Sequence, residues 1–423
     1  MAAMRSCMIA SEQSPHTVRS VADTIRIAVI GGGIGGLAAA LSLLRKGFDV
    51  HVYERASALR EVGAGIVLTP NATRLLRGLG CAAELAALAV APVAWRQRRW
   101  DDGRTLMVTP VASPVGELPT FYTAHRSDVL AMLAGKLAAE RLHLGRRLTG
   151  LADRGARVDL QFDGGPDASA DIVIGADGIH STVRERLFGA EHPRFTGCVA
   201  YRGLVPAERL AHLDLPLESQ IWMGPGKHFV HYFVSAGRLV NFVCLIDRDA
   251  WTKESWTEPG EVEDALAAYE GWHPQVRGII SSVEETFVWG LFDRASLARW
   301  SVGRVTLLGD ACHPMLPFLA QGAAQAIEDG ATLANVLARS SDAVEALQRY
   351  EALRLPRTAR IQAVAAANKG LNHLPDGPEQ VARDASMAAG TADWSIGATR
   401  WVYRHDAAAA AETGELGLPA QAA

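Results

Sequence analysis

The sequence predicts an α/β protein with a parallel sheet that is interrupted by a smaller, mainly antiparallel β domain and followed by a helical C-terminal region. Short apolar runs at residues 25–30, 171–174 and 304–308 have the composition of strands buried on both faces of a parallel sheet. The first run is followed by a helical pattern and a second strand, which is the β-α-β order of a crossover unit. Shorter strands between residues 197 and 247 are separated by Gly/Pro turns, which favours antiparallel pairing.

The elements are predicted in the following order along the chain. Residues 1–24 show no period and are expected to form a disordered leader. Order begins with a strand at 25–30, a helix at 34–46 that ends before Gly47, and an alternating strand at 48–53. The later predictions are a hairpin at 95–100 and 105–108, a helix at 126–137, strands at 171–174, 198–205, 219–223, 228–234, 239–246 and 304–308, and helices at 321–338 and 341–372.

These elements group into two domains and a C-terminal region. The larger domain, built on the parallel sheet, is predicted to be discontinuous and to comprise residues 25–92, 120–190 and 286–340. The smaller β domain is predicted at residues 93–119 and 191–285. Residues 341–405 are expected to be helical, and the Ala-rich residues 406–423 are expected to form a disordered tail.

Composition excludes several classes of protein. The 42 Lys+Arg against 46 Asp+Glu give a net charge of −4 over 423 residues, so we expect no nucleic-acid partner. No apolar run reaches the ~18 residues of a membrane span. The five cysteines are odd in number and widely spaced, which argues against a disulfide framework and favours the reducing cytoplasm. Both a monomer and a homodimer remain open.

A glycine-rich turn follows the first strand. It supplies the pattern G-x-G-x-x-G at Gly31, Gly33 and Gly36. In such a turn the first glycine permits the sharp bend, the second lets the backbone approach a pyrophosphate, and the third lets the helix pack on the strand. The pattern alone is weak in a chain with 40 glycines, and a purely structural turn is the alternative.

The setting of the turn favours a dinucleotide site. The helix that begins at Ile34 would present free N–H groups to the phosphates. Glu54 closes the second strand, eighteen residues after Gly36, where an acid accepts hydrogen bonds from both ribose hydroxyls. Strand, glycines, helix, strand and acid in this order predict a Rossmann-like domain.

Two further segments repeat the design of a buried strand that ends in a glycine and an acid. Residues 171–184 contain Asp177 and Gly178 after the strand, and Ser181 is placed to cap the helix that follows. Residues 304–314 contain Gly309 and Asp310 after the strand, with a helix starting near Gln321.

Together the three motifs resemble the fingerprints of the single-component (class A) FAD-dependent aromatic hydroxylases, which include salicylate hydroxylase, 3-hydroxybenzoate 6-hydroxylase and 6-hydroxynicotinate 3-monooxygenase. The resemblance covers residues 25–360. It implies that the resident nucleotide is FAD, that NADH or NADPH is the co-substrate, and that the pyrophosphate lies at the glycine turn and the ribose at Glu54.

The resemblance also assigns the remaining cofactor contacts. Arg126 corresponds to an arginine beside the ribityl and phosphate groups, and the alternative for this residue is a solvated charge on a helix surface. Asp177 and Gly178 correspond to a turn near the pyrophosphate that is linked to use of the nicotinamide nucleotide. Asp310 would hold the ribityl chain. The backbone from residue 320 to Gly322 would face the pyrimidine edge of the flavin, where a helix N-terminus stabilises negative charge.

The candidate catalytic residues are His228 and Tyr232, which alternation places on one face of their strand, with His231 on the other. Their spacing resembles a pair that contacts the substrate hydroxyl in this family. Histidine suits a general base because it titrates near neutrality. The alternative is a half-buried histidine bonded to backbone. We expect no metal site, because no ligand spacing surrounds His228, His231 or His313.

The resemblance implies a monooxygenase that hydroxylates a small phenolic or heteroaromatic acid with NAD(P)H and O2, through a hydroperoxide at flavin C4a. One position departs from the family: salicylate and 6-hydroxynicotinate hydroxylases carry a histidine after the proline of the third motif, where this chain has Phe318 after Pro317. An epoxidase or tailoring oxygenase acting on a larger natural product and a non-catalytic flavin-binding sensor are the alternatives.

Overall fold

The computed structural model of the protein describes residues 25–59, 64–111, 121–251, 258–390 and 396–418, so the leader predicted at 1–24 lies outside the described residues. The strands are β1 (Arg26–Ile30), β2 (Asp49–Tyr53), β3 (Gly65–Leu68), β4 (Ala94–Arg99), β5 (Thr105–Pro110), β6 (Tyr122–His125), β7 (Leu142–His143), β8 (Arg147–Asp153), β9 (Val158–Asp163), β10 (Ala168–Ala170), β11 (Ile172–Gly175), β12 (Arg194–Pro206), β13 (Ser219–Gly224), β14 (Lys227–Val234), β15 (Leu239–Asp247), β16 (Pro259–Gly260), β17 (Thr286–Asp293), β18 (Ser301–Val302) and β19 (Val305–Leu307).

The helices alternate with the strands at first and then dominate the C-terminal part. They are α1 (Ile34–Leu44), α2 (Pro70–Gly78), α3 (Ala82–Leu88), α4 (Arg126–Ala134), α5 (Thr182–Phe188), α6 (Val262–Ala268), α7 (Pro274–Ser281), α8 (Gly322–Leu337), α9 (Ala343–Asn372), α10 (Pro378–Ala388), α11 (Ile396–Arg404) and α12 (Ala407–Thr413). None of the helices in the described ranges is long and apolar enough to cross a membrane.

The predicted parallel sheet is confirmed. Its six strands run in the order β18-β19-β11-β1-β2-β7, and the pairs from β19 to β7 are parallel. The three apolar runs found in the sequence therefore lie side by side at its centre. Helices α1 and α8 cross so closely that a Cβ on Gly330 would lie 2.7 Å from the Cα of Ala39. This packing brings the N-terminal ends of both helices to the carboxyl edge of the sheet.

A second sheet of eight strands runs in the order β16-β17-β12-β15-β14-β13-β4-β5. Its pairs are antiparallel except for β4 with β13. One face packs against α6 and α7 through a core that includes Trp222, Phe229 and Phe242. Residues that alternate with these point to the opposite face of the sheet.

Two predicted boundaries differ from this arrangement. Residue 286 was expected to begin the last part of the larger domain, but β17 pairs with β12 and belongs to the eight-stranded sheet. Its apolar sequence carries no local signal of the sheet it joins. The tail predicted to be disordered contains α12, where the Asp406 carboxylate accepts from the amides of Ala408 and Ala409. Ala407 and Ala411 are buried, because small side chains allow close packing against α8.

Candidate functional site

Two adjoining cavities of about 450 and 490 Å³ extend from the carboxyl edge of the parallel sheet to the open face of the eight-stranded sheet. They share lining residues, including Gly33, Arg126, Arg202 and Asp310, so they form one elongated space. Ligands of open α/β sheets bind at this edge. The inner cavity is walled by the eight-stranded sheet, and the outer cavity is lined by the glycine turn and Glu54.

The glycine turn has the geometry that a dinucleotide requires. Gly31 has a φ of +110°, and a Cβ there would come closer than 3.0 Å to the carbonyl oxygen of Ala176. A Cβ on Gly36 would come closer still to the carbonyl oxygen of Gly31. Gly33 differs, because no atom lies within 4 Å of its added Cβ. The first and third glycines are therefore needed for packing, while the second faces open space.

Glu54 lies beside this turn at the end of β2. One of its carboxylate oxygens accepts from the amide of Gly32 at 2.7 Å, and the other accepts from the amide of Ala56 at 2.8 Å. These bonds hold the carboxylate in place on the wall of the outer cavity. Each carboxylate oxygen has a further lone pair for an incoming hydroxyl.

Asp177 follows β11 and lines the outer cavity. Its carboxylate accepts from the Ser181 hydroxyl and from the amide of Val183 at 3.1 Å. Ser181 caps α5 as predicted, because its hydroxyl accepts from the amide of Arg184 at 2.9 Å. Burial raises the pKa of Asp177 against the effect of these hydrogen bonds. The Asp177 side chain thus holds its own turn together, and the backbone of the turn faces the cavity.

Asp310 and Gly322 lie where the third motif reaches both cavities. Asp310 follows β19, is exposed, and accepts no hydrogen bond from any residue in the described part of the chain. Gly322 is the first residue of α8 and lines the inner cavity, so the N-terminal end of that helix, with its unbonded N–H groups, lies at this cavity. Arg126 is the first residue of α4 and lines both cavities.

A buried network fixes the start of α8. The Gln321 side-chain oxygen accepts from the Asn71 amide at 3.1 Å, and the same amide donates to Glu328 at 2.6 Å. Glu328 is also paired with Arg354 at 2.6 Å and Arg357 at 2.8 Å. Burial alone would raise the pKa of Glu328, but the two guanidinium groups outweigh burial and lower it. The charged network therefore positions the helix end that faces the inner cavity.

His313 takes part in a neighbouring cluster with Cys312 and Asp329, whose potential ligand atoms lie within 4.8 Å of one another. The Nε2 of His313 lies 2.6 Å from Asp329, and the second oxygen of Asp329 accepts from Arg354 at 2.7 Å. Because the carboxylate is already neutralised by a guanidinium, this arrangement is that of an internal hydrogen-bond network. His313 is buried in this network.

The candidate catalytic pair lies on the open face of the eight-stranded sheet. His228 and Tyr232 both line the inner cavity, while the side chain of His231 lies on the opposite face, 3.5 Å from Gln275. The predicted alternation on this strand is therefore confirmed. Burial raises the pKa of Tyr232 to about 12, so its hydroxyl stays protonated and can donate a hydrogen bond.

His228 is buried and bonded through one ring nitrogen. Its Nδ1 lies 2.6 Å from the Nε2 of His373, which leaves its Nε2 for the cavity. Burial, with a smaller contribution from His373, lowers the pKa of His228 well below its usual value. The ring of Phe318 lies 5.5 Å away, so the departure from the family pattern falls next to this histidine.

Sequence reasoning missed Arg202, which lies on β12 in the same row of the sheet as Val243 and Val230. Its guanidinium lies 3.9 Å from the centre of the Trp289 ring, and its buried Nε has no hydrogen-bond partner among the described residues. Burial lowers its pKa to about 9, so it remains charged at neutral pH. A charged residue inside the apolar run of β12 was the signal for it.

These features fit FAD. The glycine turn can accept a pyrophosphate and Glu54 a ribose at the outer cavity, while Asp310 and the N-terminus of α8 can hold the rest of the molecule toward the inner cavity. The face of the eight-stranded sheet then remains for a substrate.

Comparisons with known proteins agree with this assignment. The family model described as FAD binding domain matches residues 24–365. The chain is 41% identical over 386 residues to 3-amino-4-hydroxybenzoate 2-monooxygenase PtmB3 of Streptomyces platensis, covering 90% of this chain and 96% of the relative. It is 40% identical to 6-hydroxynicotinate 3-monooxygenase of Bordetella bronchiseptica, covering 83% and 94%.

Solved structures give the same result. The salicylate hydroxylase substrate complex superimposes with a TM-score of 0.78 at 28% identity, covering 95% of this chain and all of that chain. HpxO of Klebsiella pneumoniae with FAD and uric acid superimposes with a TM-score of 0.78 at 26% identity, covering 91% and 97%. The resident nucleotide is accordingly FAD, and this chain belongs to the family of single-component FAD-dependent aromatic monooxygenases.

Proposed function

We propose that the protein hydroxylates a small phenolic or heteroaromatic acid with NAD(P)H and O2, and that His228 accepts the phenolic proton of the substrate. The observation that carries this proposal is the free Nε2 of His228 in the cavity that also contains the N-terminus of α8. FAD, when bound, would supply the redox chemistry: electrons from NAD(P)H would reach O2 through it, and O2 would provide the oxygen atom for the ring.

His228 would act on the substrate before oxygen transfer. Removing the phenolic proton raises the electron density of the ring carbon that receives oxygen. The low pKa of His228 keeps its imidazole neutral at neutral pH, so the lone pair on Nε2 is available to the phenolic proton, and burial also makes this imidazole a weaker base than an exposed histidine. Tyr232 lies on the same face of β14 as His228 and lines the same cavity. Its protonated hydroxyl can donate a hydrogen bond to the phenolic oxygen of the substrate, which becomes negative when the proton leaves.

Arg202 supports an acid as the substrate. Its guanidinium is charged, largely buried and stacked on Trp289 beside the cavity, and an anion would compensate this charge. A carboxylate on the substrate matches the planar donors of arginine. Removal of water from this pocket strengthens both the ion pair and the effect of His228.

The cofactor contacts expected from the sequence remain part of the proposal. The glycine turn around Gly33 would bind the pyrophosphate and Glu54 the ribose. Arg126 and Asp310 would contact the ribityl chain and phosphates, and Gly322 the pyrimidine edge. For Asp177 the hydrogen bonds favour an indirect role, in which its carboxylate shapes the turn whose backbone meets the cofactor.

The relatives narrow the substrate. Those with 41% and 40% identity are named for 3-amino-4-hydroxybenzoate and 6-hydroxynicotinate, each a small ring that carries a carboxylate and a hydroxyl. The indole nitrogen of Trp95 and the side-chain oxygen of Gln97 line the inner cavity without a hydrogen-bond partner in the described chain. One donor and one acceptor there suit a ring with a further polar substituent, and we therefore place aminohydroxybenzoates first in the panel below.

The test is NAD(P)H oxidation with a panel of aromatic acids, with products identified by mass. A phenolic acid should stimulate oxidation and gain one oxygen atom. His228→Gln should lower hydroxylation by about a hundredfold or more, the usual size of a general-base contribution, while NAD(P)H oxidation persists and peroxide accumulates. His231→Gln is the matched control on the opposite face of β14. Tight coupling in His228→Gln would contradict the proposed base.

The proposal also covers the cellular location and the oligomeric state of the protein. The four cysteines in the described residues are free and buried, which suits a reducing cytoplasm. Either a monomer or a homodimer is compatible with a site whose proposed residues all come from one chain.

A further inference from the structure

A chain of three side chains leads from the inner cavity to the surface behind His228. The Nδ1 of His228 lies 2.6 Å from the Nε2 of His373, and the Nδ1 of His373 lies 2.9 Å from a carboxylate oxygen of Asp247. His228 is 2% exposed and His373 is 6% exposed, whereas the Asp247 side chain is 41% exposed. The three groups thus connect a buried ring in the cavity to bulk water.

The backbone holds both outer members of this chain. The amide of Gly226, in the turn between β13 and β14, donates to the carbonyl of His373 at 3.0 Å. The amide of Asp247 donates to the carbonyl of Gly226 at 2.9 Å. Lys369, on the last turn of α9, lies 3.1 Å from the Asp247 carboxylate. His373 directly follows α9. Through its two backbone hydrogen bonds, Gly226 therefore fixes the end of α9 against the end of β15.

The donor and acceptor roles follow from the carboxylate. Ionised Asp247 can only accept, so His373 carries its proton on Nδ1 and accepts on Nε2. His228 must then carry its proton on Nδ1, and its Nε2 is left as an acceptor. The hydrogen-bond chain therefore selects the tautomer of His228 that can take a proton from a substrate.

We propose that His373 and Asp247 form a proton relay that carries the phenolic proton of the substrate from His228 to solvent. This inference rests on the proposed role of His228 and extends it. As the phenolic O–H bond breaks, Nε2 of His228 gains the proton and its Nδ1 passes one to Nε2 of His373. Nδ1 of His373 passes its proton to Asp247, which releases it to water. The substrate ends as phenolate and both imidazoles end neutral.

The surroundings of His228 explain why a relay is needed. An imidazolium at this depth is disfavoured by burial, and its contacts are the rings of His373 and Phe318. The charged groups that line this cavity from the packed elements are Arg126, Arg202 and the carboxylate of Asp310, and among the described lining residues Asp310 is the sole carboxylate. Passing the proton outward leaves no cation on His228. His373 and Asp247 are positioning residues in this scheme, because they act through His228.

The test measures ionisation of a bound phenol without turnover. The holoenzyme binds the phenolic acid that binds most tightly in the panel, without NAD(P)H, and the pH is jumped in a stopped-flow instrument from about 7 to about 10, across the ordinary pKa of a phenol. The absorbance of the bound phenolate then gives the rate of proton loss. The variants are His373→Gln, His373→Ala, Asp247→Asn and His228→Gln, with His231→Gln as the control on the other face of β14.

We expect His373→Gln and Asp247→Asn to slow ionisation by about tenfold or more, with the affinity for the phenol and for FAD unchanged. Added imidazole should restore the rate in His373→Ala, which a purely structural role would not allow. The control should match the parent. Asp247 is partly exposed, so Asp247→Asn should fold and decides the outcome if His373→Gln does not.

Other results would overturn the relay. If His228→Gln slows ionisation while the His373 and Asp247 variants ionise the phenol at the parental rate, the relay is refuted and the proposed function is not. Slow variants that imidazole does not rescue would assign His373 a structural role. A parental rate in His228→Gln, or no binding by any phenolic acid, would refute the proposed function and the relay together.

Discussion

Gly33→Val separates binding of the cofactor from folding more sharply than any other change at the glycine turn. Gly33 precedes α1 with φ −73° and ψ 178°, an extended conformation that valine adopts readily. No atom lies within 4 Å of an added Cβ, and the residue lines both cavities. The Cβ of a valine would thus enter the space proposed for the pyrophosphate with no protein atom within 4 Å of it.

The magnitudes follow from these surroundings. Without FAD, Gly33→Val should change the free energy of unfolding by about 0.5 kcal/mol or less, as for other substitutions into open space. Gly36→Ala should cost about 3 kcal/mol, because its methyl group would meet the carbonyl of Gly31 closer than 3.0 Å. With FAD at a hundred times its dissociation constant, the parent gains about 2.7 kcal/mol from binding, and Gly33→Val should lose that gain.

The assay is urea unfolding of each variant with and without added FAD, together with the flavin absorbance of the purified protein. Gly78→Val is the matched control, because Gly78 ends α2 in equally open surroundings and lines neither cavity. This control should retain FAD and the parental stability. Gly33→Val with full FAD occupancy, or with an apoprotein as unstable as Gly36→Ala, would refute the assignment of this turn.

Three further predictions concern charged and titratable groups. Asp310→Asn should fold as the parent does but bind FAD roughly tenfold to a hundredfold more weakly, measured by fluorescence titration, because one charged hydrogen-bond acceptor is lost. Glu328→Gln should lower the free energy of unfolding by about 3–5 kcal/mol, since it leaves buried Arg354 and Arg357 without their carboxylate. Burial lowers the pKa of His231 to about 3, so below about pH 6.5 the unfolded chain binds a proton that the folded protein does not. Stability should therefore fall by about 2 kcal/mol from pH 7 to pH 5 on account of His231, and His231→Gln should remove this part of the slope in urea titrations.

The cofactor side of the site could be predicted from sequence because its signals are contiguous. Gly31, Gly33 and Gly36 lie within six residues, and the turn they form meets Glu54 only one strand later. The acids at 177 and 310 each follow an apolar strand directly. In a parallel sheet such positions converge at one edge, so three separate local patterns specify one site.

The substrate side required the structure. Alternation placed His228 and Tyr232 on one face of β14, but it could not show that Arg202 joins them, because this depends on the register of β12, β15 and β14. His373 is still less accessible to pattern reading, since it lies 145 residues from His228 and comes after a helix. Nothing local distinguishes it from a surface histidine.

The cofactor side and the substrate side of the site are therefore held in place by different parts of the protein. The N-terminus of α8 is fixed by Glu328 and its arginines, and the glycine turn by backbone packing, so neither depends on the open face of the eight-stranded sheet. Side chains on that face project from a backbone whose ladders are complete, and a change among them alters the cavity without moving the turn. Phe318 lies at the junction, next to His228 on one side and close to the start of α8 on the other. Substitution at Phe318 is thus the change expected to alter the choice of substrate while FAD stays bound.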